Sequence, residues 1–203
     1  MNKKGTKPMV LGLLLIVAAF LLTCYNVYDN NRAMRESQEI LDSLKVEMPD
    51  EVFDSAERNL RDNYDISSDV PDMPVIRKKG YDYIGTLEIP KYKLDLPVMA
   101  EWDYQRLKIS PCVYYGSYYT NNLVICAHNY RSHFDSLLKI TPETDIYLTT
   151  VDGYVYHYVT VNVETLFPTE VERVTLDEES DLTLFTCYHG GRTRCVVRCM
   201  LVE

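Results

Sequence analysis

The chain has 203 residues, enough for one domain with appendages, and its 46% hydrophobic content supports a sizeable core. Its 30 acidic and 21 basic residues give a net charge of −9, which argues against nucleic acid as a partner. The six cysteines form no CxxC pair, so neither a zinc site nor a cofactor is expected.

From the N-terminus, Lys3, Lys4 and Lys7 precede Pro8 to Tyr28, a run of 21 residues without a charge. At 1.5 Å per helical residue such a run spans roughly 30 Å, the thickness of a bilayer's hydrocarbon. The lysines before it and the lone Arg32 close behind it favour a cytoplasmic N-terminus and an exported remainder. We therefore expect residues 1–28 to hold a single-pass anchor. A cleaved signal peptide is the competing reading, but no small-x-small site closes the run. Leu21-Leu22-Thr23-Cys24 only faintly resembles a lipidation box, because threonine is bulky before the acceptor cysteine.

Met34, Ser37, Ile40, Leu41 and Leu44 then recur at helical spacing, predicting a juxtamembrane helix or stalk that ends near Pro49. Between Asp50 and Asp72 lie eight acids and two arginines, a solvated acidic connector. Ser67 to Pro74, with Pro71 and Pro74, reads as a linker. These segments form a region of residues 29–80 that leads into a domain of residues 81–203.

That domain is β-rich. Strand-like runs cover residues 83–89, 94–98, 112–115, 123–127, 145–149, 154–167, 182–187 and 194–201. In the longest, Val155, His157, Val159, Val161 and Val163 alternate with Tyr154, Tyr156, Tyr158, Thr160 and Asn162. Val151-Asp152-Gly153 supplies a hairpin turn, and Phe134 to Leu138 a short helical turn. Eight such strands predict an all-β fold, a closed or nearly closed barrel with short helices. Several of the 17 tyrosines flank strands and are expected to line a peptide groove or to cover the barrel exterior.

Chemistry concentrates at three strand ends. Thr183-Leu184-Phe185-Thr186-Cys187 runs into the loop Tyr188-His189-Gly190-Gly191, which places the Cys187 sulfur at a rim. Cys112, Cys126, Cys195 and Cys199 instead sit inside apolar runs, where a free cysteine acts as a small hydrophobe. His128 ends the run Leu123 to Ala127. Its competitors are His133 in a loop, His157 mid-strand and His189, two residues from Cys187. Arg194 opens the run Cys195-Val196-Val197, and shares a face with Arg192 and Arg198. A cysteine nucleophile needs a thiolate, a proton-exchanging imidazole and a donor for the oxyanion formed at an attacked carbonyl. Cys187, His128 and Arg194 suit those roles in order.

At these residues the chain resembles the sortases, cysteine transpeptidases of Gram-positive surfaces. Their pattern is a histidine at one strand end, T-L-x-T-C at another, and an arginine opening the last strand. Tyr83-Ile84-Gly85-Thr86-Leu87-Glu88-Ile89-Pro90 and Leu94-Asp95-Leu96-Pro97-Val98 resemble the family's first strands, so about 120 residues match in order and spacing. The resemblance implies an eight-stranded sortase barrel with Cys187, His128 and Arg194 as catalytic residues. Thr186 becomes a candidate donor to substrate or oxyanion, and Asn129 a candidate to orient the imidazole.

It also implies sorting-signal peptides of the L-P-x-T-G kind as substrates, and an amine from a cell-wall precursor or pilin lysine as acceptor. The stretch from Phe167 to Ser180 is too short for the long helical insertion of class B sortases. Pro71-Asp72-Met73 does not make the class C lid motif. A class A, D or clostridial-like enzyme fits better, and the subclass stays open. A hydrolysing cysteine peptidase and a non-catalytic peptide-binding barrel are the alternatives.

Overall fold

The computed structural model describes residues 6–49, 71–176 and 180–202. The acidic connector expected after Asp50 therefore lies, up to residue 70, outside the described residues. The described elements run α1 (Thr6–Glu47), β1 (Ile76–Lys78), β2 (Tyr81–Ile89), β3 (Leu94–Met99), β4 (Cys112–Tyr115) and β5 (Leu123–Ala127). There follow β6 (Asp145–Thr150), β7 (Val155–Leu166), α2 (Val171–Thr175), β8 (Leu182–Tyr188) and β9 (Thr193–Leu201). A 3-10 segment, Phe134–Lys139, supplies the short helical turn before β6.

Eight strands close on themselves in the order β2-β3-β4-β5-β8-β9-β7-β6, with β6 pairing back onto β2. The barrel is mostly antiparallel; β3–β4 and β5–β8 are its parallel pairs. β1, not foreseen from the sequence, adds to β2 through Ile76↔Tyr83, Arg77↔Asp82 and Lys78↔Tyr81. Gly85 makes the crowding around β2 possible. It lies between β3 and β6, and a Cβ there would stand 2.0 Å from the Thr149 carbonyl oxygen.

Strand alternation sorts side chains into and out of the barrel. Leu123, Ile125, Leu182, Leu184, Val197 and Cys199 are buried inside it together with Phe134 and Leu137. Each fully buried Leu or Ile of this kind contributes roughly 1.5–3 kcal/mol. In β7 the tyrosine face turns inward: Tyr158 is buried in the core, with Tyr156 packed against it. A bulge between Thr160 and Asn162 then exchanges the faces, and Val163 reaches the core instead. Tyr118 and Tyr158 are core residues, and each ring brings a large apolar area into the barrel.

α1 is one unbroken helix of 42 residues, about 60 Å long. Its first half is apolar and exposed from Met9 to Tyr28, and it is long and apolar enough to cross a membrane. Its second half is no free stalk, because it lies along the barrel wall. Ala33, Ser37, Ile40, Leu41 and Leu44 are buried, whereas Met34 is exposed and Ala33 takes its expected place. Ile40 and Leu44 pack against Tyr83, Met99, Cys112 and Cys126 on the outer face of the sheet. Lys45–Asp95, Lys78–Glu47 and Lys79–Glu39 ion pairs flank that contact. Pairs this exposed add little individually.

Candidate active site

The parallel pairing of β5 with β8 brings two distant stretches of chain to the same barrel edge. Ala127 pairs with Thr186, so the next residue of each strand, His128 and Cys187, emerges at adjoining ends. Antiparallel β9 supplies the third member, since Cys187 and Arg194 are direct cross-strand partners. Interior positions on these strands are taken by Ala127, Leu184 and Cys195. Cys187 and Arg194 therefore face outward, on the side that also carries Phe185 and Val196.

A pocket of about 170 Å³ opens on that side, lined by His128, Cys187 and Arg194. Its walls are largely apolar and aromatic: Trp102, Tyr104, Tyr114, Phe167, Val171 and Phe185. Phe185 meets Tyr114 edge-on at 5.1 Å, and Tyr114 lies 5.1 Å from Trp102. These rings form one continuous wall beside the sulfur. The alternation of β8 carries the signal for Phe185, two residues before Cys187. Trp102 comes from a loop and has no periodic signature, while Phe167, included in the strand-like run 154–167, lies just past the end of β7.

All six cysteines are free. Cys112, Cys126, Cys195 and Cys199 are buried, while Cys187 is partly exposed at the pocket. Burial pushes the Cys126 and Cys199 thiols up to about 12, so they hold their protons at neutral pH.

His128 is more than half-buried, and burial lowers its pKa below the ordinary imidazole value. The Asp29 carboxylate opposes that shift and the Lys108 ammonium adds to it. The other histidines occupy different settings. His157 binds Asp145 at 2.8 Å and stacks on Tyr147, on the β6–β7 ladder. His189 is exposed, stacks on Tyr188 at 3.8 Å and has a φ of 47° in the loop after β8. His133 is fully buried, and burial, with the nearby His128, brings its pKa down to about 4.

Alternation places the three arginines on one face, and their partners separate them. Arg198 is buried, with its guanidinium on Glu164 Oε1 at 2.9 and 3.0 Å, on Thr183 and on the Val174 carbonyl. It ties α2 and β7 to β8 and has a structural role. Arg192 is exposed in the loop before β9. Arg194 lines the pocket, and its Nη1 donates to the Gly191 and Thr193 carbonyls at 3.1 and 3.2 Å. Those bonds hold the guanidinium through Nη1.

Thr186 is buried, and its hydroxyl donates to the Ala127 carbonyl at 2.9 Å. That bond ties the His128 strand to the Cys187 strand and engages the hydroxyl expected for substrate. Asn129 is exposed, and among the described residues no hydrogen bond joins it to His128. The neighbour that packs on the imidazole is Tyr130, its ring 5.0 Å away. The Tyr130 hydroxyl in turn donates to Asp29 of α1 at 2.5 Å. Neither residue was a candidate in the sequence; Asp29 stands out there only as the first charge after the apolar run.

A family model for the sortase domain matches residues 87–202. A search of curated protein sequences finds no match. Among solved structures, the sortase D5 transpeptidase of Clostridium perfringens superposes with a TM-score of 0.60 at 17% identity, covering 83% of this chain and 99% of that one. Sortase C1 of Streptococcus suis gives 0.55 at 21% identity over 75% and 96% of the two chains. Sortase C of C. perfringens with its C-terminal cell wall sorting motif gives 0.54 at 19% identity over 91% and 99%. At these identities the structures show the shared fold; the family model, which spans more than half of the sequence, shows that the chain belongs to the sortase family of cysteine transpeptidases.

Proposed function

We propose that this protein is a membrane-anchored sortase that cleaves an L-P-x-T-G-like sorting signal and passes the acyl group to an amine. The observation that carries the reading is the cross-strand pair of Cys187 and Arg194 beside the strand end bearing His128, all three at the rim of one apolar pocket.

The Cys187 thiolate attacks the backbone carbonyl carbon at the scissile Thr-Gly bond, and Arg194 stabilises the oxyanion that forms. The tetrahedral species collapses as the C–N bond breaks. His128, protonated, gives its proton to the leaving glycine amine. An acyl thioester on Cys187 remains. An incoming amine, from a cell-wall peptide or a pilin lysine, loses its proton to neutral His128 and attacks the thioester, which restores the thiolate. Burial favours proton release from His128, and the aromatic wall suits the apolar residues of a sorting signal.

The apolar half of α1 is the single-pass anchor. The lysines before it place the N-terminus in the cytoplasm and the barrel outside. Intact-mass analysis of the membrane fraction should find the N-terminus retained; a mature chain starting after Tyr25 in the medium contradicts this anchor.

Mass spectrometry of the full chain in detergent, with candidate sorting peptides and with or without amine acceptors, tests the chemistry. The expected products are a thioester on Cys187 and, with amine, the ligated peptide. Cys187→Ala should form neither product. Full cleavage by that variant refutes the reading. A free acid even at high amine concentration assigns hydrolysis instead of transfer.

A further inference from the structure

His128 must hold one position and change protonation on cue, yet it stands where a strand gives way to a loop. Beside its own backbone hydrogen bonds, that loop makes two hydrogen bonds to α1. The Tyr130 hydroxyl donates to Asp29 Oδ2, and the Arg131 backbone N–H donates to Asn30 Oδ1 at 3.0 Å. Asp29 is itself held by Arg32 at 2.8 Å. The Tyr130 ring lies between two histidines, 5.0 Å from His128 and 5.4 Å from His133. Asp29 and Asn30 directly follow the apolar run that ends at Tyr28, so the membrane-proximal turn of α1 sits against the loop of the histidine.

We propose that this turn of α1 is a working part of the active site, with Asp29 and Asn30 as positioning residues that hold the His128 loop. This deepens the sortase reading and rests on His128 being the proton carrier. The lower half of α1 already docks through Ile40, Leu44 and flanking ion pairs, so attachment of the helix does not require a carboxylate at 29. The carboxylate contributes negative charge close to a half-buried imidazole. It opposes the burial that disfavours the cation, and its own pKa is lowered by the Tyr130 hydrogen bond and by Arg32.

Beside burial, Asp29 from α1 and Lys108 from the 3-10 turn before β4 act on the protonation of His128; the other titratable groups around it are Tyr130 and His133 from its own loop, and Cys187, Arg194 and Glu170, which line the same pocket. Of these, Asp29 is the one that favours the charged imidazole.

The test uses the full chain in detergent micelles and two readouts that need no sorting peptide. Hydrogen–deuterium exchange at the histidine ring carbons, followed by mass spectrometry across pH, gives the His128 pKa. The rate of iodoacetamide alkylation, read on the peptide containing Cys187, gives the pH at which the thiolate forms. Asp29→Asn keeps the shape and removes the charge; Tyr130→Phe removes the link. Both should lower the His128 pKa. Both should also move the alkylation profile to higher pH, because an imidazolium nearby favours the thiolate. Asp29→Glu should retain most of the wild-type behaviour.

With a cleavable sorting peptide, both variants should lower kcat about tenfold and change KM less than twofold, as expected for lost positioning. Lys45→Ala removes one exposed ion pair of the helix far from the site and should leave both readouts unchanged. Wild-type pKa and alkylation profiles in Asp29→Asn and Tyr130→Phe would overturn the proposal, as would an equal shift in Lys45→Ala. If instead His128→Ala cleaves peptide normally, the sortase reading fails while the two peptide-free readouts still decide the coupling to α1.

Discussion

Cys187 and Arg194 oppose each other across the β8–β9 ladder, one turn of loop apart in sequence and direct partners in register. Directly opposed strand residues have Cβ atoms about 5 Å apart, so whatever the sulfur attacks comes within reach of the guanidinium. The fork is oriented by two backbone carbonyls, which a lysine cannot reproduce. Arg194→Lys should lower turnover about a hundredfold or more, the scale of losing an oxyanion donor, with an unchanged circular dichroism spectrum. Near-normal turnover in single-turnover peptide assays would remove Arg194 from the oxyanion role.

Arg198, on the same face, should behave oppositely. Its guanidinium is buried against Glu164, Thr183 and backbone carbonyls. Arg198→Met leaves the Glu164 carboxylate without that partner and should cost about 3 kcal/mol, seen as a lower thermal midpoint. At a temperature where the variant is still folded, its turnover should stay within about threefold of wild type, since it touches no reacting atom.

His128→Ala should lower turnover at least about a hundredfold, whereas His189→Ala should remain within about tenfold of wild type. His128 closes a strand and is packed by Tyr130, while His189 is exposed in a Gly-Gly loop. Steady-state kinetics of the two variants decide the matter. If His189→Ala is the more damaging change, the base is misassigned.

His133 should make the fold acid-sensitive. Its folded pKa is about 4, below the ordinary 6.5, so the unfolded chain binds the proton more tightly. Stability is then full above 6.5 and is lost as pH falls from 6.5 toward 4, by on the order of 3 kcal/mol. Urea unfolding at pH 7 and pH 4.5 should show His133→Phe gaining stability relative to wild type at the lower pH. A difference between the two proteins that does not change with pH would contradict this.

Gly85→Ala should cost about 3 kcal/mol or more, because a Cβ at 2.0 Å from the Thr149 carbonyl oxygen forces β2 and β6 apart. Chemical denaturation should show a lower midpoint. Wild-type stability would mean that the β2–β6 closure is looser than the register implies.

Cys187, His128 and Arg194 stood out as candidates in the sequence because each ends or opens an apolar strand, and strand ends are where side chains leave a core. The eight barrel strands were legible for the same reason, since period-two patterning and turn residues act locally. The ninth, β1, is three residues long and carries no pattern of its own; pairing with β2 creates it.

Local patterning also left the faces undecided. Alternation in β7 separates valines from tyrosines, but closure of the barrel sends the tyrosines inward up to the bulge at Thr160. The three arginines share a parity, and burial against Glu164 on another strand is what sets Arg198 apart.

By itself, then, the sequence determined the strands, the apolar N-terminal run and the residue types at the strand ends, all set by interactions between near neighbours in the chain. Tertiary structure decided what those pieces meet. Hydrogen bonds over 101 residues of separation bring Asp29 to Tyr130 and Asn30 to Arg131. No periodicity records such a contact, because it depends on where a helix, docked by Ile40 and Leu44 farther along, happens to lie across a barrel wall.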